Sequence, residues 1–423
     1  MKRTFLFLAW LFLFASCQDA NLDTVEDSLS NTTAKTIPIS TALESLEDLI
    51  CETGIKTKAS IQNISTGEIL AIGGQDFLIS TRSQNDLCLP DTLLYALNFI
   101  DGGFAILSAN TNLNDPVICI TDAGKVSLDR FSKGFSLLQS TDCEYCVDSK
   151  SATTGDIDDI ICEDTGVDYL YSLVISSVLI DYNDNQTTNE RVPETKESSS
   201  APVGPLLTTK WTQSFPFNKY KDPPGCAVIA AGQIMAYNKK PALFKFPTVS
   251  SYCTWDTLKT VYPSLNYTSP GTPFASDQVA VFAAELANSS NCDVDSSGGT
   301  TINKVKDTFT KFGYSVTKRL GWENGDIAKI CQQLSEKKPI YMRGQRKDST
   351  TGRQVGHAWV IDGATSSHFH INWGWQGDAD GYYAKGVFST ASLDYFSPSD
   401  TDTNTYQGAY TRNYYHSFRF LLY

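Results

Sequence analysis

Past Phe14 the chain has no apolar run approaching the ~18 residues that a membrane-spanning helix requires, so the remainder is expected to stay out of the bilayer. Positive charge is scarce: 34 Lys and Arg stand against 47 Asp and Glu, a net charge of -13. Such a surface repels phosphate backbones and anionic lipid heads, and it sets nucleic acid aside as a partner. Imidazoles are few, so any imidazole chemistry must come from His357, His368, His370 or His416. The Cys-x-x-Cys pair at Cys143 and Cys146 has no second such pair and no nearby histidine to complete a zinc site. No metal or other cofactor is expected, and no internal repeat is present.

What is there begins with an export signal. Lys2 and Arg3 form a basic start, and Phe5 to Phe14 an apolar stretch too short to span a membrane comfortably, so residues 1–16 read as a signal peptide. Phe14-Ala15-Ser16-Cys17 resembles a bacterial lipobox, which implies lipidation at Cys17. The expectation is an exported protein, held in the cell envelope by an N-terminal lipid anchor or else plainly secreted. Residues 17–40 are polar and acidic, as suits a flexible tether. Setting aside Cys17 and a second reserved cysteine, Cys226, nine of the eleven cysteines remain. That number is odd, so at least one thiol stays unpaired in a monomer.

A length of 423 residues with 41% hydrophobic content predicts two globular units beyond the tether. The first spans residues 41–182: a helix from Ala42 to Cys51, then short β-rich runs. Asp101-Gly102-Gly103 between two apolar strands predicts a hairpin, because both turn positions favour positive φ, and Pro116 to Ile120 predicts a further strand. Residues 183–205 are polar and punctuated by proline, an extended linker open to proteolysis. The second unit spans residues 206–423. Pro223-Pro224-Gly225 precedes a helix from Cys226 to Tyr237 that is apolar nearly all round, and so is expected to be buried at the centre. Further helices are expected at Asp277–Ala287, Ile302–Phe312 and Gly325–Glu336. Past Pro339 the chain reads as β-rich, with a hairpin of arms Val355–Asp362 and His368–Trp375.

A thiol acts as a nucleophile only as thiolate, and a helix N-terminus, where Cys226 stands, favours that form. A small buried core residue is the plainer reading of such a cysteine. His357 lies between Gly356 and Ala358, which leave room for a ring to face a cleft, whereas His368, His370 and His416 read as structural. A base needs a third group to orient its ring. Asn372 stands 15 residues on (372 minus 357), on the partner arm of the hairpin. The order Cys, His, Asn, with 131 residues between the first two (357 minus 226), matches papain-like spacing.

Three blocks carry a resemblance: Pro224-Gly225-Cys226 running into Gly232-Gln233-Ile234-Met235-Ala236-Tyr237, then Gly356 to Gly363, then Phe369 to Gly377. They are similar to the streptopain-type cysteine peptidases of the papain superfamily. The first unit resembles that family's propeptide domain through Ala96 to Phe99 and Gly102 to Ala109. The resemblance implies an α+β, papain-like catalytic domain, a central helix packed on an antiparallel sheet, preceded by an α+β propeptide domain. It implies a cysteine endopeptidase made as a zymogen, acting on protein or peptide substrates and inhibited intramolecularly by its own propeptide. Cys226 would be the nucleophile and His357 the proton acceptor, with Asn372 orienting the ring and Trp373 packing beside the pair. Trp373 also reads as a core aromatic. Gln213 resembles a glutamine that helps the Cys226 N–H stabilise the oxyanion, with a surface loop residue as the plainer reading. The stretch Cys292 to Gly299 departs from the family in lacking the Tyr-Gly step of its substrate-binding loop.

Two other classes remain open on sequence. One is a catalytically inactive surface lipoprotein, an adhesin or inhibitor on the same fold. The other is a Cys-His acyl transferase of transglutaminase type.

Overall fold

The computed structural model describes residues 36–53, 64–72, 92, 94–100, 102–109, 116–126, 162–163, 201–245, 252–253, 255, 273–320, 324–347, 354–385 and 419–423. The expected signal peptide, Cys17, the tether up to residue 35, the Cys143–Cys146 pair, residues 183–200 of the linker and His416 lie outside the described residues. Lys35–Tyr423 form one compact unit. No described helix is long and apolar enough to cross a membrane.

The first segment contributes α1 (Ile39–Thr53), β1 (Ile64–Ile72), β2 (Leu94–Phe99), β3 (Phe104–Ser108), β4 (Val117–Thr121) and β5 (Cys162–Glu163). Helix α1 starts inside the stretch expected as tether. It buries Ala42, Leu46 and Leu49, a helical stripe, against Leu97, Ala105, Leu107 and Ile120. The expected hairpin is present: β2 and β3 pair antiparallel from Leu94 with Ser108 to Asn98 with Phe104, and Gly102 and Gly103 adopt φ of 99° and 87°. At Gly103 a Cβ would run into the backbone of Thr121, so glycine is required there by space as well as by φ.

The second segment contributes α2 (Cys226–Asn238), β6 (Phe244–Lys245), β7 (Tyr252–Cys253), α3 (Pro273–Ala287), α4 (Ile302–Lys311), β8 (Thr317–Leu320), α5 (Asn324–Ser335), β9 (Ile340–Lys347), β10 (Gln354–Ala364), β11 (His368–Asn372), β12 (Gly381–Ala384) and β13 (Arg419–Leu422). As expected, α2 is central, with every residue from Cys226 to Ala236 buried. It packs on β9 and β10 and against α3 and α4. It starts at Gly225, whose φ of 91° few other residues tolerate. It stops at Lys239 in the left-handed region, where the Lys240 N–H donates to Met235 O at 3.1 Å. Thr301 caps α4 by accepting from Lys304 N at 3.2 Å.

One sheet runs through both segments, in the order β1-β2-β3-β4-β12-β11-β10-β9-β13-β8, with β5 added in parallel to β10. This is the expected α+β arrangement of a central helix on an antiparallel sheet, but the two segments are joined edge to edge. Strand β4 covers β12, pairing Ile120 with Tyr382, and Tyr382 enters the core under α1. An uncovered edge exposes unpaired backbone groups, and this pairing satisfies them. The end of the expected linker is also fixed. Val203 and Ala364 exchange two 2.8 Å backbone bonds, and Leu206 N donates to Asp362 O at 2.9 Å.

Candidate active site

Three pieces of backbone carry the sequence-predicted residues: the start of α2, the strand β10, and the turn after β11. Cys226 is the first residue of α2 and is buried. The loop of residues 294–299 presses on the preceding residue, so a Cβ at Gly225 would lie 2.6 Å from Gly298 O. The thiol is thereby held at the positive end of the helix.

His357 lies mid-strand in β10, opposite Gly344 of β9. Its ring is buried among indoles, 4.9 Å from Trp375 and 6.3 Å from both Trp359 and Trp373. The Nε2 atom lies 2.9 Å from the carbonyl oxygen of Trp373. A carbonyl can only accept, so Nε2 carries the hydrogen and Nδ1 is the basic nitrogen of the neutral ring. Burial pushes the ring's pKa down to about 4, and the bond to Trp373 opposes this only in part.

The orienting bond therefore comes from the backbone of Trp373, where the side chain of Asn372 was expected. Asn372 is engaged elsewhere. Its Oδ1 accepts from Gln233 Nε2 at 2.9 Å and from Gly374 N at 3.1 Å, and its Nδ2 donates to Thr209 O at 2.9 Å. Strand β11 ends at Asn372, short of the expected Trp375, because the chain turns there through Gly374 at φ 76°. Asn372 fixes that turn, and so fixes the direction of the Trp373 carbonyl. Trp373 is fully buried. Its N–H donates to Asp380 Oδ1 at 2.9 Å, and its ring stacks on Trp375 at 5.2 Å. Burial raises the Asp380 pKa to about 7, against the lowering effect of that N–H.

Two contributors were missed on sequence. Gln233, on the buried face of α2, binds Asn372 and also accepts from Thr209 Oγ1 at 2.9 Å and Trp211 N at 3.3 Å. It ties the helix, the Trp373 turn and the segment leading to Gln213 into one network. Its place in the Gly232–Tyr237 block was the available signal. Trp375 is nearer His357 than Trp373 is, and only its place in Asn-Trp-Gly-Trp hinted at that. Gln213 is half-buried, two residues past the anchored Trp211 N–H.

His370 and His368, which read as structural, are both buried and hydrogen-bonded within the fold. His370 Nδ1 lies 2.6 Å from Asp362 Oδ1, while Asp362 Oδ2 accepts from Leu207 N at 2.8 Å. Burial opposes charging this ring, but the Asp362 charge and hydrogen bond outweigh it and its pKa is raised. His368 Nε2 donates to Val117 O at 2.8 Å, across to β4.

Comparison with known proteins fits this geometry. Residues 211–383, which hold the start of α2, β10 and the Trp373 turn, match the Peptidase C10 family. Over those residues the chain is similar to that family. Streptopain of Streptococcus pyogenes is 38% identical over 73 residues, 17% of this chain. The chain spans only 16% of that relative's length. The thiol protease/hemagglutinin PrtT of Porphyromonas gingivalis is 24% identical over 233 residues, 47% of this chain and 25% of that one. Among solved structures, a fragment of Prevotella intermedia prointerpain A aligns with a TM-score of 0.49 at 18% identity, covering 78% of this chain and 94% of that one.

Proposed function

We propose that this chain is a member of the Peptidase C10 family and the precursor of a cysteine endopeptidase, with Cys226 as nucleophile and His357 as base. The observation that carries the reading is a cysteine at the start of the buried central helix, which packs on the strand that bears a histidine whose tautomer leaves Nδ1 basic. In the reaction, the Cys226 thiolate forms a bond to the peptide carbonyl carbon, and the oxyanion is held by the Cys226 N–H and the Gln213 carboxamide. Nδ1 of His357, having taken the proton of the Cys226 thiol, gives it to the leaving amine as the C–N bond breaks. Water then attacks the thioester, losing a proton to Nδ1, and the acid product leaves as the Cys226 thiolate is expelled, to be reprotonated from Nδ1.

The reading extends to regulation. Residues 41–182 act as an inhibitory propeptide, released by cutting the linker at 183–205. Four contacts support this. Strand β4 pairs with β12, and His368 binds Val117 O. Glu52 accepts from Ser366 N at 3.1 Å and Ser366 Oγ at 3.2 Å. Strand β5 pairs with Val355 and Gly356, directly before the base. A tethered domain inhibits at high effective concentration, and cleavage makes the contact bimolecular. Export and lipid attachment at Cys17 complete the reading and rest on the N-terminal sequence. Fatty-acid labelling that disappears in Cys17→Ser tests them.

The peptidase reading is tested by incubating refolded precursor, before and after limited proteolysis of the linker, with casein in the presence and absence of a thiol-alkylating reagent. Hydrolysis that follows cleavage and stops on alkylation is expected. No hydrolysis under any of these conditions would favour the inactive surface lipoprotein.

A further inference from the structure

The positive charge of this acidic chain is gathered in one stretch. Residues 302–347 carry eleven Lys and Arg against four Asp and Glu, while the whole chain has a net charge of -13. That stretch builds α4, β8, α5 and β9. Between β8, α5 and the end of β13 lies a cleft of about 260 Å³, lined by Ser315, Thr317, Arg319, Lys329, Gln333 and Tyr423 among others. None of these residues belongs to the candidate active site. Arg319 reaches Asp326 on α5, so it faces that helix, and Thr317, two residues earlier on β8, shares its face.

The charges along the cleft do not cancel. Asp326, 4% exposed, accepts from Arg319 Nε at 3.1 Å, Arg319 Nη2 at 2.9 Å and Lys329 Nζ at 3.1 Å, all on Oδ1. Burial opposes its ionisation, but those hydrogen bonds and charges outweigh it and its pKa is lowered. Among the described residues it is the one carboxylate within ion-pair distance of either cation, so two positive charges share one negative. Arg319 Nη1 and the remaining ammonium hydrogens of Lys329 are left over, on side chains 36% and 43% exposed. Gln333 adds an unmet donor. It is 7% exposed, and its Oε1 accepts from Tyr423 N at 2.8 Å, which fixes which way the amide points. Its Nε2 is buried and has no hydrogen-bond partner. A buried N–H without an acceptor is costly, and an anion in the cleft that Gln333 lines supplies one.

We propose that this cleft binds a small oxyanion, a carboxylate or phosphate group, held by the partly exposed Arg319 and Lys329 and by the buried amide of Gln333. The cations supply charge-assisted hydrogen bonds, and the hydroxyls of Ser315 and Thr317 add further donors at the same opening. Donors spread over β8, the residues before it and α5 call for an anion with several acceptor atoms, which chloride lacks. The site stands whether or not the chain is a peptidase.

The test is thermal unfolding of the full-length precursor, titrated with inorganic phosphate and separately with succinate, against sodium chloride at matched ionic strength. A ligand that binds only the folded state raises Tm in proportion to its occupancy. Stabilisation beyond chloride's by at least one of the two anions, with half its effect at about 10 mM or below, is expected, and the anion that acts identifies the oxyanion. Gln333→Glu keeps an acceptor for Tyr423 N and puts a negative charge in place of the donor, so it is expected to abolish the effect. Lys329→Gln leaves Arg319 paired with Asp326 at a partly exposed site, and serves if Gln333→Glu does not fold. Its half-effect concentration is expected to rise by about tenfold. Lys338→Gln, at an exposed lysine that pairs with Glu336 outside the cleft, is expected to match the parent. Stabilisation no greater than chloride's with both anions, an unchanged half-effect concentration in folded Lys329→Gln, or the same loss in Lys338→Gln overturns the inference.

Discussion

The backbone carbonyl of Trp373 takes the Nε2 hydrogen of His357 at 2.9 Å, so the orientation of the imidazole depends on the shape of a turn. Whatever holds that turn acts on the proposed base at one remove.

The first prediction concerns that support. Asn372→Ala removes three hydrogen bonds and strands the amide of Gln233, at a cost of about 1–3 kcal/mol in stability. It is expected to lower kcat by about 10- to 100-fold without abolishing it, because Asn372 transfers no proton. Gln233→Ala is expected to act in the same direction, and the double variant to lose much less than the sum. A double-mutant cycle on urea unfolding and kcat checks this; full additivity would show that the two residues are independent.

A second prediction follows from Gly225, at φ 91° and with no room for a Cβ beside Gly298 O. Gly225→Ala is expected to destabilise the protein by about 1–3 kcal/mol and to reduce turnover more than its stability loss explains, since it displaces the first residue of α2. Thermal unfolding and kcat at a temperature where the variant is folded measure both.

The third prediction is about acid. The His357 pKa falls from 6.5 to about 4 on folding, so the unfolded chain binds the proton more readily. Stability from this group is present above pH 6.5 and is lost as pH falls toward 4, by up to about 3 kcal/mol. Asp380 has the opposite sign. Its pKa rises from 3.8 to about 7, so its contribution is present below pH 3.8 and is lost as pH rises toward 7. The two slopes oppose each other over nearly the same window. In Asp380→Asn the acid loss due to His357 is expected to emerge as steeper destabilisation on acidification, and in His357→Gln to vanish. Unfolding free energies near pH 7.5 and pH 4.5, each subtracted from the parent's, isolate the two groups.

The fourth prediction concerns the clasp between the segments. Glu52→Ala loses two hydrogen bonds to the β10–β11 turn at an exposed site. Global stability is expected to change by about 1 kcal/mol or less, while casein hydrolysis after linker cleavage appears a few-fold sooner. An unchanged lag would show that this contact does not hold the propeptide in place.

Much of the fold was legible wherever local chemistry decides it. Pro223-Pro224-Gly225 before an apolar run marked α2, and Gly102-Gly103 marked the β2–β3 turn because positive φ is a property of the residue itself. The pairing of β4 with β12 was not legible, since strand patterns record which face is apolar and not which distant strand lies alongside. The site divides in the same way. Cys226 and His357, the proposed nucleophile and base, stand out by residue type and spacing, because the chemistry proposed for them resides in their side chains. The Trp373 carbonyl could not, since every residue has one and only the turn aims it. Gln233 reads as a polar residue in a helix, and burial alone distinguishes it.

The central claim is that Cys226 is the nucleophile of a peptidase, and turnover of casein by linker-cleaved Cys226→Ala beside the cleaved parent tests it most directly. The account predicts a loss on the order of a thousand-fold or more, with the variant folded and its thermal unfolding close to the parent's. A cleaved Cys226→Ala that kept about a tenth of the parent's turnover would contradict it.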